Sequence, residues 1–297
     1  MKPKQINENK NVSQLTNVGV AISIFFLAVT LVIIYSFKDL RNSDRYKMLS
    51  HLVIALLCVN CFFLCLEGDV KNLSEIACSV LAGCLHYSLL AAFSWMLIIS
   101  TDVYLKIKHP FADHDKRFSY SRYIGWIGPL IVVGVTAGIT NVNYTSAECW
   151  LNSESGAKWT FIVPVCLTSL IVLVQLAVIG YVAFMKSKLP NQTEDEMQAL
   201  KRMRNVFQGL LLLAPAVGIS WIFGVIIIFC DWKIMEYIYV ILNSMQGFFV
   251  WLSQCVFSNE VRQAFKKKFA SRITQESNTN TVRSVTHNTG RIVVEDM

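Results

Sequence analysis

Charge is what this chain has least of. Only 16% of its 297 residues are Asp, Glu, Lys or Arg, while 54% are hydrophobic. A soluble domain carries about a quarter charged residues, so a water-soluble globule is excluded. Proline is also scarce, with six in all, and the apolar residues gather into seven runs. These fall at about 18–37, 46–66, 77–105, 122–141, 159–185, 206–230 and 236–257, and each reaches roughly the 20 residues that a helix needs to cross a bilayer. None alternates with a period of two, which excludes a membrane barrel, and lipid admits no other spanning structure than a helix. The fold class is therefore an all-α membrane protein, a seven-transmembrane helix bundle.

Further absences narrow the function. The runs hold almost no acids or bases and show no internal repeat, which argues against a transporter or channel. Residues 236–257 contain no lysine for a retinal Schiff base. His51, His86 and His109 are scattered and no H-E-x-x-H occurs, so neither a metal site nor any other cofactor or catalytic constellation is expected. The chain does not read as an enzyme. Residues 1–17 lack the apolar core and cleavage site of a signal peptide and read as a short extracellular tail.

What charge there is sits on one side. Lys38, Arg41, Arg45 and Lys47 follow the first run. Lys106, Lys108, Lys116, Arg117 and Arg122 follow the third, and Lys186, Lys188, Lys201, Arg202 and Arg204 the fifth. The alternate connections hold only Lys71, Lys158 and Lys233. The positive-inside rule then places the N-terminus outside and the C-terminus in the cytoplasm. The net charge of +7 is accounted for by topology and by attraction to anionic membrane lipid, with no nucleic-acid partner. Asn11, Asn72 and Asn143 head glycosylation triplets on the outer side.

Of nine cysteines, Cys58, Cys61, Cys65, Cys84, Cys166 and Cys255 fall within runs and read as small core residues. Cys78 and Cys149 face the oxidising side, where a bridge between them would staple the loop over the bundle mouth. Cys230 is a rival partner, and spacing does not decide between them. Pro215, with Gly218 one turn later, kinks the sixth run, either as static packing or as a hinge. After the last run, "SNEVRQAFKKKFA" spaces Val261, Ala264, Phe265 and Phe269 as one face of a surface helix over 258–270. Residues 271–297 read as a disordered cytoplasmic tail. In the seventh run Asn243, Gln246 and Gly247 are spaced i, i+3, i+4 and share a face that must look inward.

Five stretches, "CSVLAGCLHYSLLAAFSWMLIISTDVYL", "GWIGP", "CWL", "GISWIFGVIII" and "ILNSMQGFFVWLSQCVFSNEVR", occur in an order that resembles the seven-helix domain of adhesion-type G-protein-coupled receptors, of the secretin-like class. The resemblance covers about residues 16–268 and implies a receptor coupling an extracellular agonist to a heterotrimeric G protein. It makes Cys78–Cys149 the expected disulfide and sets His86, Phe93 and Trp95 along or beneath a central cavity, with Trp150 dipping into its mouth. Trp221 and Phe223 match a toggle in the sixth helix, and Asn243, Gln246 and Gly247 a polar cluster facing it. His51 matches one half of an inner polar pair. The glutamate expected opposite it is Ile99, leaving Asp102 and Gln254 to complete a remodelled network. An expected asparagine in the fifth helix is replaced by Val172, with Gln175 nearby. Residues 1–17 show neither the self-cleavage site nor the apolar tethered agonist of that family. The sequence then represents a fragment or product lacking its ectodomain, or a short receptor whose peptide agonist is separate. A secretin-type peptide hormone receptor without its extracellular domain, and a seven-helix transporter, are the competing assignments.

Overall fold

In lipid a span must satisfy its own backbone, and every described apolar run has done so as helix. The computed structural model describes residues 3–67, 74–108, 115–146, 149–188 and 241–270, with three isolated positions at 194, 197 and 238. Its helices are α1, Pro3–Ser36; α2, Lys38–Asn42; α3, Asp44–Glu67; α4, Glu75–Lys108; α5, Asp115–Thr140; α6, Ala157–Ser187; and α7, Gln246–Trp251. A π turn, Leu252–Val256, follows, and residues 259–270 form α8. Among the described residues five helices are long and apolar enough to cross a membrane, and they coincide with the first five runs. The sixth run, with Pro215, Gly218, Trp221 and Phe223, lies outside the described residues, as do Asn72, Cys230 and residues 271–297.

The helix ends follow from local chemistry. α1 starts at Pro3, so the stretch read as a tail is already helical. Proline is suited to a first helical position, and extending a helix beyond a stable span avoids the cost of nucleation. α1 stops where Phe37 turns extended, at φ −113° and ψ 117°. α5 ends because Asn141 takes φ +46°, a left-handed conformation that asparagine tolerates at a helix C-terminus. Hydroxyls inside the spans turn back on their own helix: Thr30 donates to the Phe26 carbonyl at 2.8 Å and Thr136 to that of Val132 at 2.7 Å, which pairs these hydroxyls within the helix.

α4 is the axis of the bundle. It packs on α3, α5 and α6, while α1 packs on α3 and α7. Of the five spans that of α4 is the most buried and that of α5 the least. Ala82, Ala91 and Ala92 of α4 are buried, and side chains this small let neighbouring helices approach closely. On α5, Ile124, Ile131, Val135 and Ile139 stand exposed, as expected of a face that meets lipid rather than protein.

Candidate functional site

The connection after α5 folds down into one end of the bundle. A disulfide joins Cys78 to Cys149, the pairing that the sequence resemblance implies. Thr145 and Leu151 form an isolated antiparallel bridge, and the Thr145 hydroxyl meets that of Ser79 on α4 at 3.0 Å. These ties bury Tyr144, Cys149 and Leu151. Trp150, expected to dip into the mouth, is half-buried and packs edge-on against Phe161 with ring centroids 5.7 Å apart. The side chain that reaches deepest is Tyr144. Its hydroxyl lies 3.0 Å from Nδ1 of the buried His86. Burial, with the Cys84 thiol adding to it, pushes the Tyr144 hydroxyl up to about 12, so it stays a neutral hydrogen-bonding group at any physiological pH.

His86 also meets α6, where the Phe161 ring packs edge-on with centroids 6.0 Å apart. Pro164 sits inside that helix and has no N–H to pair with the Thr160 carbonyl one turn back. His86 Nε2 has no partner of hydrogen-bonding geometry. At Nδ1, either the ring or the Tyr144 hydroxyl donates, according to which ring nitrogen carries the proton. A buried imidazole is thus set between a loop and an imperfectly bonded helix.

Farther along α4, Phe93 is buried in the core and Trp95 is fully buried. His51 of α3 stacks on Trp95 with centroids 4.5 Å apart and planes 16° apart, and Trp126 meets the same indole edge-on at 6.0 Å. Gly125 makes this possible: a Cβ there would lie 2.6 Å from Trp95 Cε2.

His51, Asp102 and Gln254, expected to form one inner network, make the following contacts. His51 stacks on Trp95. Asp102 pairs with Lys106 at 2.6 Å, an i, i+4 pair with the acid toward the helix N-terminus, the favourable order. Gln254 accepts from Arg45 Nη2 at 3.2 Å. Arg45 also faces Glu260 at 3.6 Å, and Tyr46 meets Ser258 at 2.7 Å. The start of α3 is therefore clasped to the π turn and α8. A separate bridge joins α4 to α6, in which Ser100 donates to Gln175 Oε1 at 2.6 Å and Gln175 Nε2 donates to Thr101 at 2.9 Å. The residue standing near the missing asparagine is a cross-helix bridge.

The seventh run is not a continuous helix. Residues 241–244 are helical, Met245 is a turn, and α7 begins at Gln246. The Gly247 N–H, which an unbroken helix would point at the Asn243 carbonyl, donates to Ser23 Oγ of α1 at 2.6 Å. The seam is built from small residues: a Cβ on Gly19 would collide with Ser244, and one on Gly247 with the Ser23 carbonyl. Gln246 is buried and Asn243 half-buried. Within the cluster expected to face the sixth helix, Gly247 meets α1, because only a residue lacking Cβ admits that approach. Of the glycosylation asparagines, Asn143 is exposed in a short 3-10 turn and Asn11 falls within α1.

Sequence reasoning missed Tyr144, Ser23, Arg45 and the role of Pro164. Tyr144 lay hidden inside a glycosylation triplet. Pro164 was the one detectable signal, since a proline within a span always frees a carbonyl one turn earlier.

Residues 9–250 match the family described as 7 transmembrane receptor (Secretin family). Similar proteins include the human adhesion G protein-coupled receptor L4, 29% identical over 267 residues, 89% of this chain and 38% of that protein. The Bos taurus adhesion G-protein coupled receptor D1 is 31% identical over 260 residues, 86% of this chain and 28% of that protein. The human adhesion G protein-coupled receptor E1 is 29% identical over 279 residues, covering 91% and 30% respectively. The chain thus spans 28% to 38% of the length of these relatives. From the match over residues 9–250 and from its helical spans, the chain belongs to the secretin family of seven-transmembrane receptors, as a multi-pass bundle of the adhesion type.

Proposed function

We propose that the chain is the signalling unit of an adhesion-type receptor in the plasma membrane, with the disulfide-bearing end outside and the end carrying Arg45, Lys106 and α8 in the cytoplasm. The observation that carries this is the loop tied at Cys149, whose Tyr144 reaches His86 at 3.0 Å. It provides a continuous polar and aromatic route from the outer surface to the middle of the central helix. A peptide agonist, tethered or separate, acts there against His86, Phe93 and Trp150, with Asn243 and Gln246 from the seventh segment and Trp221 and Phe223 from the sixth. The bundle responds at Pro215–Gly218 and at the Gly247 break, where a single hydrogen bond of about 1 kcal/mol between helices is weak enough to exchange. Residues 106–121, 186–204 and 258–269 form the cytoplasmic face for a heterotrimeric G protein, and the clustered Lys and Arg of that face favour its cytoplasmic orientation.

A second-messenger assay across Gα families tests this, using surface-expressed chain with and without peptide and Trp221→Ala as the control. Basal or peptide-stimulated signalling that falls in the variant is expected. Full surface expression with no signalling in either condition would refute an autonomous receptor.

A further inference from the structure

We propose that the elbow between α1, α2 and α8 binds the phosphate of an anionic membrane phospholipid. A groove of about 370 Å³ lies there, lined by Ser36, Phe37, Lys38, Asp39, Ala264, Lys267 and Lys268. Ser36 is the last residue of the first membrane span, so the groove sits where hydrocarbon gives way to headgroups. Val32, one turn earlier on the same face of α1, is exposed, and so are Phe265 and Phe269 on α8. Apolar surface for acyl chains thus flanks a cationic opening.

The charge is arranged for an anion. Segments 38–47 and 258–268 together hold eight basic and three acidic side chains. Two of the acids are matched elsewhere, Asp44 by Lys47 at 2.8 Å and Glu260 by Arg45 at 3.6 Å. The groove's own acid is Asp39, which pairs with Lys267 at 3.1 Å, with both side chains more than half exposed. Such a pair contributes at most about 1 kcal/mol and yields readily to a stronger anion. Lys268 lays its stem over the Phe37 ring, Nζ 4.8 Å from the centroid, and reaches the Ser36 carbonyl at 3.4 Å. Its ammonium is held at the groove with the apolar part packed, as amphipathic side chains do at an interface. A phosphodiester entering among Lys38, Lys267 and Lys268 replaces Asp39 as the partner of Lys267. Neither an agonist nor a G protein is needed for this binding.

The test uses the full chain in detergent micelles, titrated with dioleoyl phosphatidylserine or dioleoyl phosphatidylcholine, with bound lipid counted by native mass spectrometry. One saturable phosphatidylserine site is expected, and phosphatidylcholine should bind more weakly. Each lysine beside an anionic lipid contributes about fivefold, so Lys267→Gln and Lys268→Gln each weaken binding by about that factor. Lys266→Gln removes the same charge from a residue that does not line the groove and should weaken binding less than about twofold. Asp39→Asn removes the competing carboxylate and should tighten binding, which no loss of fold would do. Equal losses in all three lysine variants would overturn the proposal in favour of diffuse attraction. Weaker or unchanged binding in Asp39→Asn would overturn it as well, and so would equal binding of soluble glycerophosphoserine, which would mark a plain anion site.

Discussion

Gly247→Ala should loosen the seam between α1 and α7, and the size of the effect follows from the geometry. A Cβ at Gly247 would collide with the Ser23 carbonyl, which belongs to a helical backbone and cannot rotate away, and would lie 2.6 Å from Ser23 Oγ and 2.8 Å from Leu27 Cγ. Overpacking of this kind costs about 1–3 kcal/mol. Alanine recovers about 0.5–1 kcal/mol of helix preference over glycine, which leaves a net loss of about 1 kcal/mol at the middle of these ranges and at most about 2.5 kcal/mol. At about 2–4 °C per kcal/mol for a large domain, the midpoint of thermal unfolding in detergent falls by roughly 2–4 °C at that mid-range cost. Ser23→Ala takes the acceptor from the Gly247 N–H and costs about 1–3 kcal/mol for a buried orphaned donor. The two act on one contact, so the double variant should fall short of their sum by more than about 0.5 kcal/mol. Gly134→Ala, with nothing within 4 Å of its Cβ, carries only the propensity gain and should melt at or above the parent. If Gly247→Ala and Gly134→Ala shift together, close packing at the seam is not what requires a glycine at position 247.

Cys78→Ser, Cys149→Ser and the double variant should destabilise the receptor equally, because each opens the same bridge. Its 71-residue separation sets an upper bound of about 4 kcal/mol, read as the fall in melting temperature with and without reductant. Tyr144→Phe should cost about 1 kcal/mol for the bond to His86. The folded-state value of the Tyr144 hydroxyl lies above the ordinary tyrosine value, so its contribution is fully present below about pH 10 and is lost as pH rises through about 12. Stability curves for parent and Tyr144→Phe should therefore run parallel to about pH 10 and converge above it. Gln175→Leu breaks the bridge from α6 to Ser100 and Thr101 and should raise agonist-independent signalling at matched surface expression. Unchanged basal signalling would show that the bridge is not part of the resting state.

The spans were legible in the sequence because hydropathy over 20 residues is a cumulative signal that no single residue can mask. The second to fifth runs and the helix over 259–270 appear within a few residues of where the sequence puts them, apart from the start of α5 at Asp115, while α1 begins well before the first run, at Pro3. Cys78–Cys149 was legible only through the resemblance, since spacing could not separate it from Cys230. The partners of His51, Asp102 and Gln254 were not legible, because pairing depends on helix rotation, which apolar spans leave nearly unmarked. Arg45 shows why. It read as one more positive charge setting topology, yet its fork joins Gln254 and Glu260, 209 and 215 positions later in the chain. The contact of Gly247 with Ser23 was not legible either, because a missing Cβ announces a close approach without naming what approaches.

In two places this bundle, so short of polar side chains, frees its own main chain: Pro164 leaves the Thr160 carbonyl without its helical N–H, and the break before Gly247 releases an N–H to Ser23. Groups of this kind are invisible to alanine scanning, which strips side chains and leaves every amide in place. A functional map of the receptor made by side-chain truncation would therefore record His86 and Ser23 as hot and Thr160 as silent, while alanine at Gly247 would report the added Cβ and not the amide. Replacing single amides by esters, which deletes a donor or weakens an acceptor without touching a side chain, is the mutagenesis suited to such a protein.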